Sequence, residues 1–333
     1  MTLRGKTIAE LGADLAAGRA TSRALVDAAL ASIAREEAAF TLVAAARARA
    51  EADHSDGLRA MGVVPSALAG IPVSVKDLFD VAGETTAAGS SILREAPAVA
   101  RDAPAVARLR AAGAIIVGRT HMSEFAFHGM VANPHYPRCA NPHEASRVPG
   151  GSSSGAAVSV ARGQAAMGLG TDTGGSTRVP AAFCGIVGFK PTQRRVTREG
   201  AFPLSESLDS VGPLANSVRC CAETDRIIAD TPTPAHPPLA LAGLRLAVPK
   251  DLVLDDMDET VAHAFERALG TLGAQGARIA HVAVPPFARM PEIYAKGTMA
   301  NAEAFRFHTA AKLLDQRDKY DRNVLTRIEI GGR

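Results

Sequence analysis

Leu68-Ala69-Gly70-Ile71-Pro72-Val73-Ser74-Val75, an apolar run that stops at Lys76, reads as a buried strand. Residues 104–112 then carry a helical pattern, and Gly113 stands where a helix C-terminus commonly places glycine. Ala114-Ile115-Ile116-Val117 returns to strand chemistry. Strand, helix and strand in that order predict an α/β fold: a mixed, largely parallel central sheet covered by helices on both faces.

Working outward, Thr7 and Ser22 are the expected N-caps of helices over 7–17 and 22–36, separated by Gly18. An Ala-rich helix follows in the forties. Pro134 to Pro149 reads as an irregular loop. Beyond it the pattern gives a short helix over 153–162, a strand over 165–169, a tight turn over 170–175 and a second short helix over 177–184. The stretch Thr231-Pro232-Thr233-Pro234-Ala235-His236-Pro237-Pro238 is linker chemistry. After it, a strand at 244–248, a helix near 257–272 and a strand near 277–284 form a further βαβ-like unit. The expected organisation is therefore an N-terminal helical segment packed on the core (1–65), an α/β core (66–230), a Pro-rich linker (231–240) and a C-terminal segment (241–333). That last segment ends at Ile328-Glu329-Ile330-Gly331-Gly332-Arg333 without a closing element, so the fold is expected to be C-terminally short.

The chain has 333 residues, 47% of them hydrophobic and 21% charged, which is ordinary globular composition. A net charge of +3, with no Lys/Arg run longer than two, gives no footprint for direct nucleic-acid binding. Aromatic residues make up only 4% and Trp is absent, which further weakens base stacking. Cys139, Cys184, Cys220 and Cys221 lack metal-ligand spacing, and buried thiols are expected rather than a vicinal disulfide at 220–221. His121, His128, His135 and His143 scatter through loop-rich sequence, so neither a metal nor another cofactor is expected. No signal core and no apolar stretch of roughly 20 residues is present, so a cytoplasmic protein without membrane contact is expected.

The chemistry lies in two Gly/Ser-rich runs, Gly150-Gly151-Ser152-Ser153-Ser154-Gly155 and Gly170-Thr171-Asp172-Thr173-Gly174-Gly175-Ser176. Two serines and the lysine at position 76 are the minimum parts of a hydroxyl nucleophile activated by an amine. Burial at the end of an apolar strand would lower the Lys76 pKa and let it act as a base. Ser176 follows two glycines and precedes a helix, so the N–H groups of residues 173–176 can converge as an oxyanion hole. On the turn alone, Ser176 reads equally well as an N-cap. Two decoys fall away. Residues 168–174 carry one residue too many for G-x-G-x-x-G, and no Gly-Lys-Ser/Thr occurs. Ser153 formally centres a G-x-S-x-G elbow, but loop sequence precedes it where a strand is required.

At this point the residues resemble the amidase signature family. Gly150 to Ala161 and Gly170 to Thr192 carry the likeness. Gly70 to Asp77, Ser123-Glu124-Phe125-Ala126, Asn141-Pro142 and Ser207 to Pro213 support it. The similarity is strong over about 65–215 and diffuse elsewhere; Ser154 and Thr177 are minor departures, and the chain is shorter than the family's usual members. The resemblance implies the amidase signature fold and a Ser–cis-Ser–Lys triad. In it Ser176 is the nucleophile, Ser152 the bridging serine after a cis peptide bond, and Lys76 the base. It also implies an oxyanion hole from the N–H groups of Thr173, Gly174, Gly175 and Ser176. Ser153, Asp172 and Arg178 are expected to support the loop.

The implied activity is amidohydrolysis of a linear C–N bond through an acyl-enzyme, on a small-molecule amide, with a homodimer left open. Two alternatives stand beside it. One is the A subunit of an aminoacyl-tRNA amidotransferase, which would need partner subunits. The other is an inactive truncated amidase.

Overall fold

The computed structural model of the chain describes residues 2–130, 133–231 and 239–333. It divides into two compact units, Met1–Thr233 with Met299–Arg333, and Pro234–Thr298.

The first unit opens with α1 (Ile8–Ala16), whose Thr7 cap and Glu10 form a reciprocal capping box. In α2 (Ser22–Arg35) the cap is Thr21, and Ser22 is already the first helical residue. Next come β1 (Phe40–Val43), α3 (Ala45–Ala60), β2 (Pro72–Lys76), α4 (Pro104–Ala111) and β3 (Ile115–Thr120). Gly113 takes a φ of +82° just past α4, a conformation that costs glycine nothing. The chain continues through α5 (Ser154–Ala161), β4 (Met167–Asp172), α6 (Arg178–Phe183), β5 (Val187–Gly188), β6 (Ser210–Ala215) and α7 (Val218–Ile228).

These strands form one six-stranded sheet in the order β1-β3-β2-β4-β6-β5. The centre, β3-β2-β4, is parallel, while β1, β5 and β6 pair antiparallel at the flanks. Every residue of β2, β3, β4 and β6 is buried, so both faces of the central sheet are covered. Helices α2, α3, α5 and α7 pack against it. This is an α/β fold with a mixed sheet, as the strand–helix–strand pattern predicts.

Contact between α5 and the sheet depends on small residues. A Cβ added at Gly155 would stand 2.2 Å from the Ala39 carbonyl oxygen and 2.6 Å from the His121 amide nitrogen. Both obstacles are backbone and cannot swing aside. Gly155→Ala is therefore expected to cost about 1–3 kcal/mol of stability through overpacking. Urea unfolding of the variant checks this, and an unchanged midpoint would contradict such close packing.

The second unit contains β7 (Arg245–Pro249), α8 (Glu259–Ala274) and β8 (Arg278–Val282), with short helices α9 (Pro285–Ala288) and α10 (Met290–Ile293). β7 and β8 pair in parallel, which makes this a βαβ unit. The segment 241–333, which reads as one piece in the sequence, is split: α11 (Met299–Ala310) and α12 (Arg322–Ile330) cluster with the first unit. Most of the Pro-rich linker, residues 232–238, lies outside the described residues. Among the described residues, no helix is long and apolar enough to cross a membrane.

Candidate active site

Two parallel neighbours bring the site together. β2 ends at Lys76 and β4 ends at Asp172, so both strands deliver their carboxyl ends to the same edge of the sheet. Lys76 is fully buried. Its Nζ donates to Ser152 Oγ at 2.7 Å and to Thr171 Oγ1 at 2.8 Å. Burial pushes the Lys76 pKa down to about 7, against the pull of the Asp209 and Asp172 carboxylates. A buried amine with two hydroxyl partners and a pKa near neutrality can lose its proton at ordinary pH.

Ser152 follows a cis peptide bond from Gly151 and is itself fully buried. The next residue, Ser153, ties the two Gly/Ser runs to each other. Its amide donates to the Ser176 carbonyl at 3.2 Å, and its hydroxyl donates to the Thr171 carbonyl at 3.3 Å. Lys76, Ser152, Ser153, Thr171 and the turn bearing Ser176 are thus gathered from three separate stretches. Among the described residues, no hydrogen bond joins Ser152 Oγ to Ser176 Oγ.

The turn itself is fixed by a buried carboxylate. Asp172 accepts from the amides of Gly175 (2.8 Å), Thr177 (3.1 Å) and Arg178 (3.3 Å). It also takes both arms of the Arg178 guanidinium, Nε at 3.0 Å and Nη2 at 2.9 Å. Burial acts to raise the Asp172 carboxyl, but Arg178 and the Thr177 and Gly175 amides outweigh it, and the group sits below the usual carboxylate range. Asp172 therefore does the capping that the sequence leaves open for Ser176. The helix begins only at Arg178, after Thr177, and the Ser176 side chain makes no cap bond.

Ser176 is buried but not sealed, at 9% exposure. Of the four amides expected to converge, that of Gly175 is already spent on Asp172. Those of Thr173, Gly174 and Ser176 make no hydrogen bond among the described residues. A Cβ at Gly174 would meet nothing within 4 Å, so the space beside the turn is open.

Two residues that the sequence pattern does not assign join the site. Thr171 receives the second Lys76 hydrogen bond. Asp209 accepts from Thr173 Oγ1 at 2.5 Å and from the amides of Leu204 (2.9 Å) and Ser205 (3.0 Å). The signal for Thr171 is its place beside Asp172 in a run already singled out. Asp209 stands in the Ser207–Pro213 stretch, where nothing local announces a long-range partner. The same stretch is anchored by Glu303 of α11, which accepts from Ser205 Oγ and from the amide and hydroxyl of Ser207.

Elsewhere, Arg119 and His121 are held by structural partners. Arg119 pairs with Asp77 at 2.8 Å, both buried. His121 Nδ1 lies 3.0 Å from Ser154 Oγ, and burial lowers the ring's pKa to about 4. The four cysteines are buried free thiols, and no disulfide joins Cys220 to Cys221.

Comparison with known proteins identifies the family. The family model described as Amidase matches residues 24–329. The A subunit of a glutamyl-tRNA(Gln) amidotransferase from Anaeromyxobacter dehalogenans (strain 2CP-C) is 45% identical over 292 residues, covering 83% of this chain and 59% of that protein. The AtzE chain of 1-carboxybiuret hydrolase from Pseudomonas sp. (strain ADP) is 42% identical over 285 residues, covering 81% and 62%. A solved amidase structure superposes with a TM-score of 0.88 at 36% identity, covering 98% of this chain and 73% of its own. The chain spans about three fifths of the length of the curated relatives it matches. A family match over most of the chain, and a solved amidase fold that covers nearly all of it, lead to one conclusion: this chain belongs to the Amidase family.

Proposed function

We propose that the chain carries an amidohydrolase site in which Ser176 attacks the carbonyl carbon of a linear amide. Neutral Lys76 accepts a proton from Ser152 Oγ as Ser152 takes one from Ser176 Oγ. The Ser176 oxygen bonds to the carbonyl carbon, and the electron pair moves to the carbonyl oxygen. That oxyanion meets the free amides of Thr173, Gly174 and Ser176, while the Gly175 amide holds the turn through Asp172. Collapse of the tetrahedral intermediate breaks the C–N bond. The proton held at Lys76 returns through Ser152 to the departing nitrogen, leaving an acyl-enzyme. Water then gives up a proton to Lys76 and bonds to the acyl carbon; the bond to Ser176 Oγ breaks, that oxygen takes the proton back from Lys76 through Ser152, and the acid is released.

The observation that carries this reading is the 2.7 Å contact from a fully buried lysine amine to Ser152, with the amine's pKa near 7. The relay also needs Ser176 Oγ to turn onto Ser152 when substrate binds, since catalytic hydrogen bonds commonly tighten only in the Michaelis complex. Ser153, Asp172 and Arg178 support the turn without touching the reacting atoms.

A fluorophosphonate tests the proposal because it phosphonylates an activated serine far faster than an ordinary one. Mass spectrometry of the labelled protein is expected to find the adduct on Ser176. The same preparation is expected to release ammonia or an amine from at least one member of an amide panel. Absence of both adduct and turnover would favour an inactive amidase-like chain.

The identity to the A subunit of a glutamyl-tRNA(Gln) amidotransferase supports a second reading, in which the site serves a multi-subunit amidotransferase. Ammonia release from glutamine only in the presence of partner subunits would distinguish it.

A further inference from the structure

Asp209 lies at the junction of three features that the proposed chemistry needs. Its Oδ1 accepts from Thr173 Oγ1 at 2.5 Å, and so holds the first residue of the turn whose amides face the substrate. Its Oδ2 receives the amides of Leu204 and Ser205, fixing the loop that leads into β6. It also shares the lining of a cavity of about 470 Å³ with Thr171, the residue that accepts from Lys76 Nζ. The carboxyl is buried and spends these hydrogen bonds on fold and turn.

We infer that Asp209 is a positioning residue of the proposed amidase site, setting the oxyanion turn through Thr173 and placing a carboxyl group in the cavity that Thr171, the acceptor of Lys76 Nζ, also lines. The inference rests on the Ser152–Lys76 relay to Ser176 proposed above. Two acidic groups act on Lys76: Asp209, the larger effect, and Asp172 on β4. Asp172 is bound to Arg178 and three amides. On the neighbouring strand Arg119 is spent on Asp77, the residue next to Lys76. The remaining contacts of the amine are the hydroxyls of Ser152 and Thr171, which carry no charge. Of the two carboxylates acting on the amine, Asp209 is thus the one without an ion pair among the described residues. Burial raises its own pKa, while Thr173, the Leu204 and Ser205 amides and Lys76 hold that rise back.

Charge and position can be separated by substitution. The readout is the rate of fluorophosphonate labelling of Ser176 across pH, in which Ser176 Oγ attacks phosphorus, fluoride leaves and the proton passes to Lys76. In the wild type this rate rises with the neutral fraction of Lys76. Asp209→Asn removes the charge that favours the ammonium, so the acid limb is expected to move to lower pH. The plateau is expected to fall about tenfold or more as the turn loosens. Thr173→Val keeps the carboxyl and removes the hydroxyl, so the plateau is expected to fall while the acid limb moves less than in Asp209→Asn. Asp209→Glu restores the charge and is expected to bring the limb back toward its wild-type position. An Asp209→Asn limb identical to wild type would overturn the inference, as would a Thr173→Val limb that moves equally far.

If Asp209→Asn does not fold by circular dichroism, Asp209→Ser, which keeps an acceptor for the 204 and 205 amides, reads the same limb. Ser176→Ala run alongside separates the two levels. Labelling or turnover that survives in Ser176→Ala refutes the site itself. Loss there combined with an unmoved Asp209→Asn limb refutes only the role of Asp209.

Discussion

Ser176→Ala is expected to lose amide turnover by on the order of 10⁴-fold or more, with thermal stability unchanged to within about 0.5 kcal/mol. The separation follows from what the side chain does in the fold. Its hydroxyl makes no hydrogen bond among the described residues, and α6 is capped through Asp172 instead. The bond that ties the turn to the first Gly/Ser run uses the Ser176 carbonyl, which alanine keeps. Removing Oγ would therefore delete the proposed attacking atom and little else. Parallel measurement of ammonia release and thermal unfolding checks this. A variant that works at the wild-type rate would remove Ser176 from the chemistry, and one that fails to fold would show that the hydroxyl is structural.

Lys76→Met is expected to abolish activity to a similar degree and yet to stabilise the protein. Unfolded, the amine would titrate at 10.5; folded, burial lowers it to about 7. Between those values the unfolded chain binds more protons than the folded one, so wild-type stability rises with pH from about 7 to 10.5. Below about 7 both states are protonated and the full penalty of burying the ammonium applies. Methionine fills much the same volume without a charge, at the loss of hydrogen bonds to Ser152 and Thr171. Replacement of buried charges by apolar groups of similar volume is commonly neutral or stabilising, and a gain of about 1–3 kcal/mol is expected at pH 6. The gain should shrink as the pH approaches 10. Chemical denaturation of both proteins at the two pH values tests it, and an equal difference between them at pH 6 and 10 would mean that Lys76 carries no burial penalty. An active site that costs the fold stability is a common trade.

The site is legible where chemistry is written in a contiguous run, and less so where the chain comes back from afar. Lys76 can be read because it closes an apolar strand, and the two Gly/Ser runs stand out by composition alone. β4, expected over 165–169, runs over Met167–Asp172, so part of the supposed turn is strand. Gly168 and Gly170 hide it, since glycine weakens the strand signal. They are required there because Ala156 presses on the first and Ser153 on the second. β6 does not read as a strand because Pro213 sits inside it and lacks an N–H for the ladder. Its carbonyl still takes part, accepting from the Phe189 amide. Asp209 and Glu303 are invisible in the sequence for a different reason. Their partners, Thr173 and the 205–207 loop, lie 36 residues or more away, and no periodicity encodes a single long-range hydrogen bond.

The pH dependence of fluorophosphonate labelling at Ser176, in wild type and Lys76→Ala, tests the central claim most directly. The account predicts a wild-type rate that rises sigmoidally with a midpoint near 7 and a plateau above it, both lost in Lys76→Ala. A flat profile, or a Lys76→Ala protein that labels with the wild-type rate and midpoint, would contradict a neutral lysine as the base.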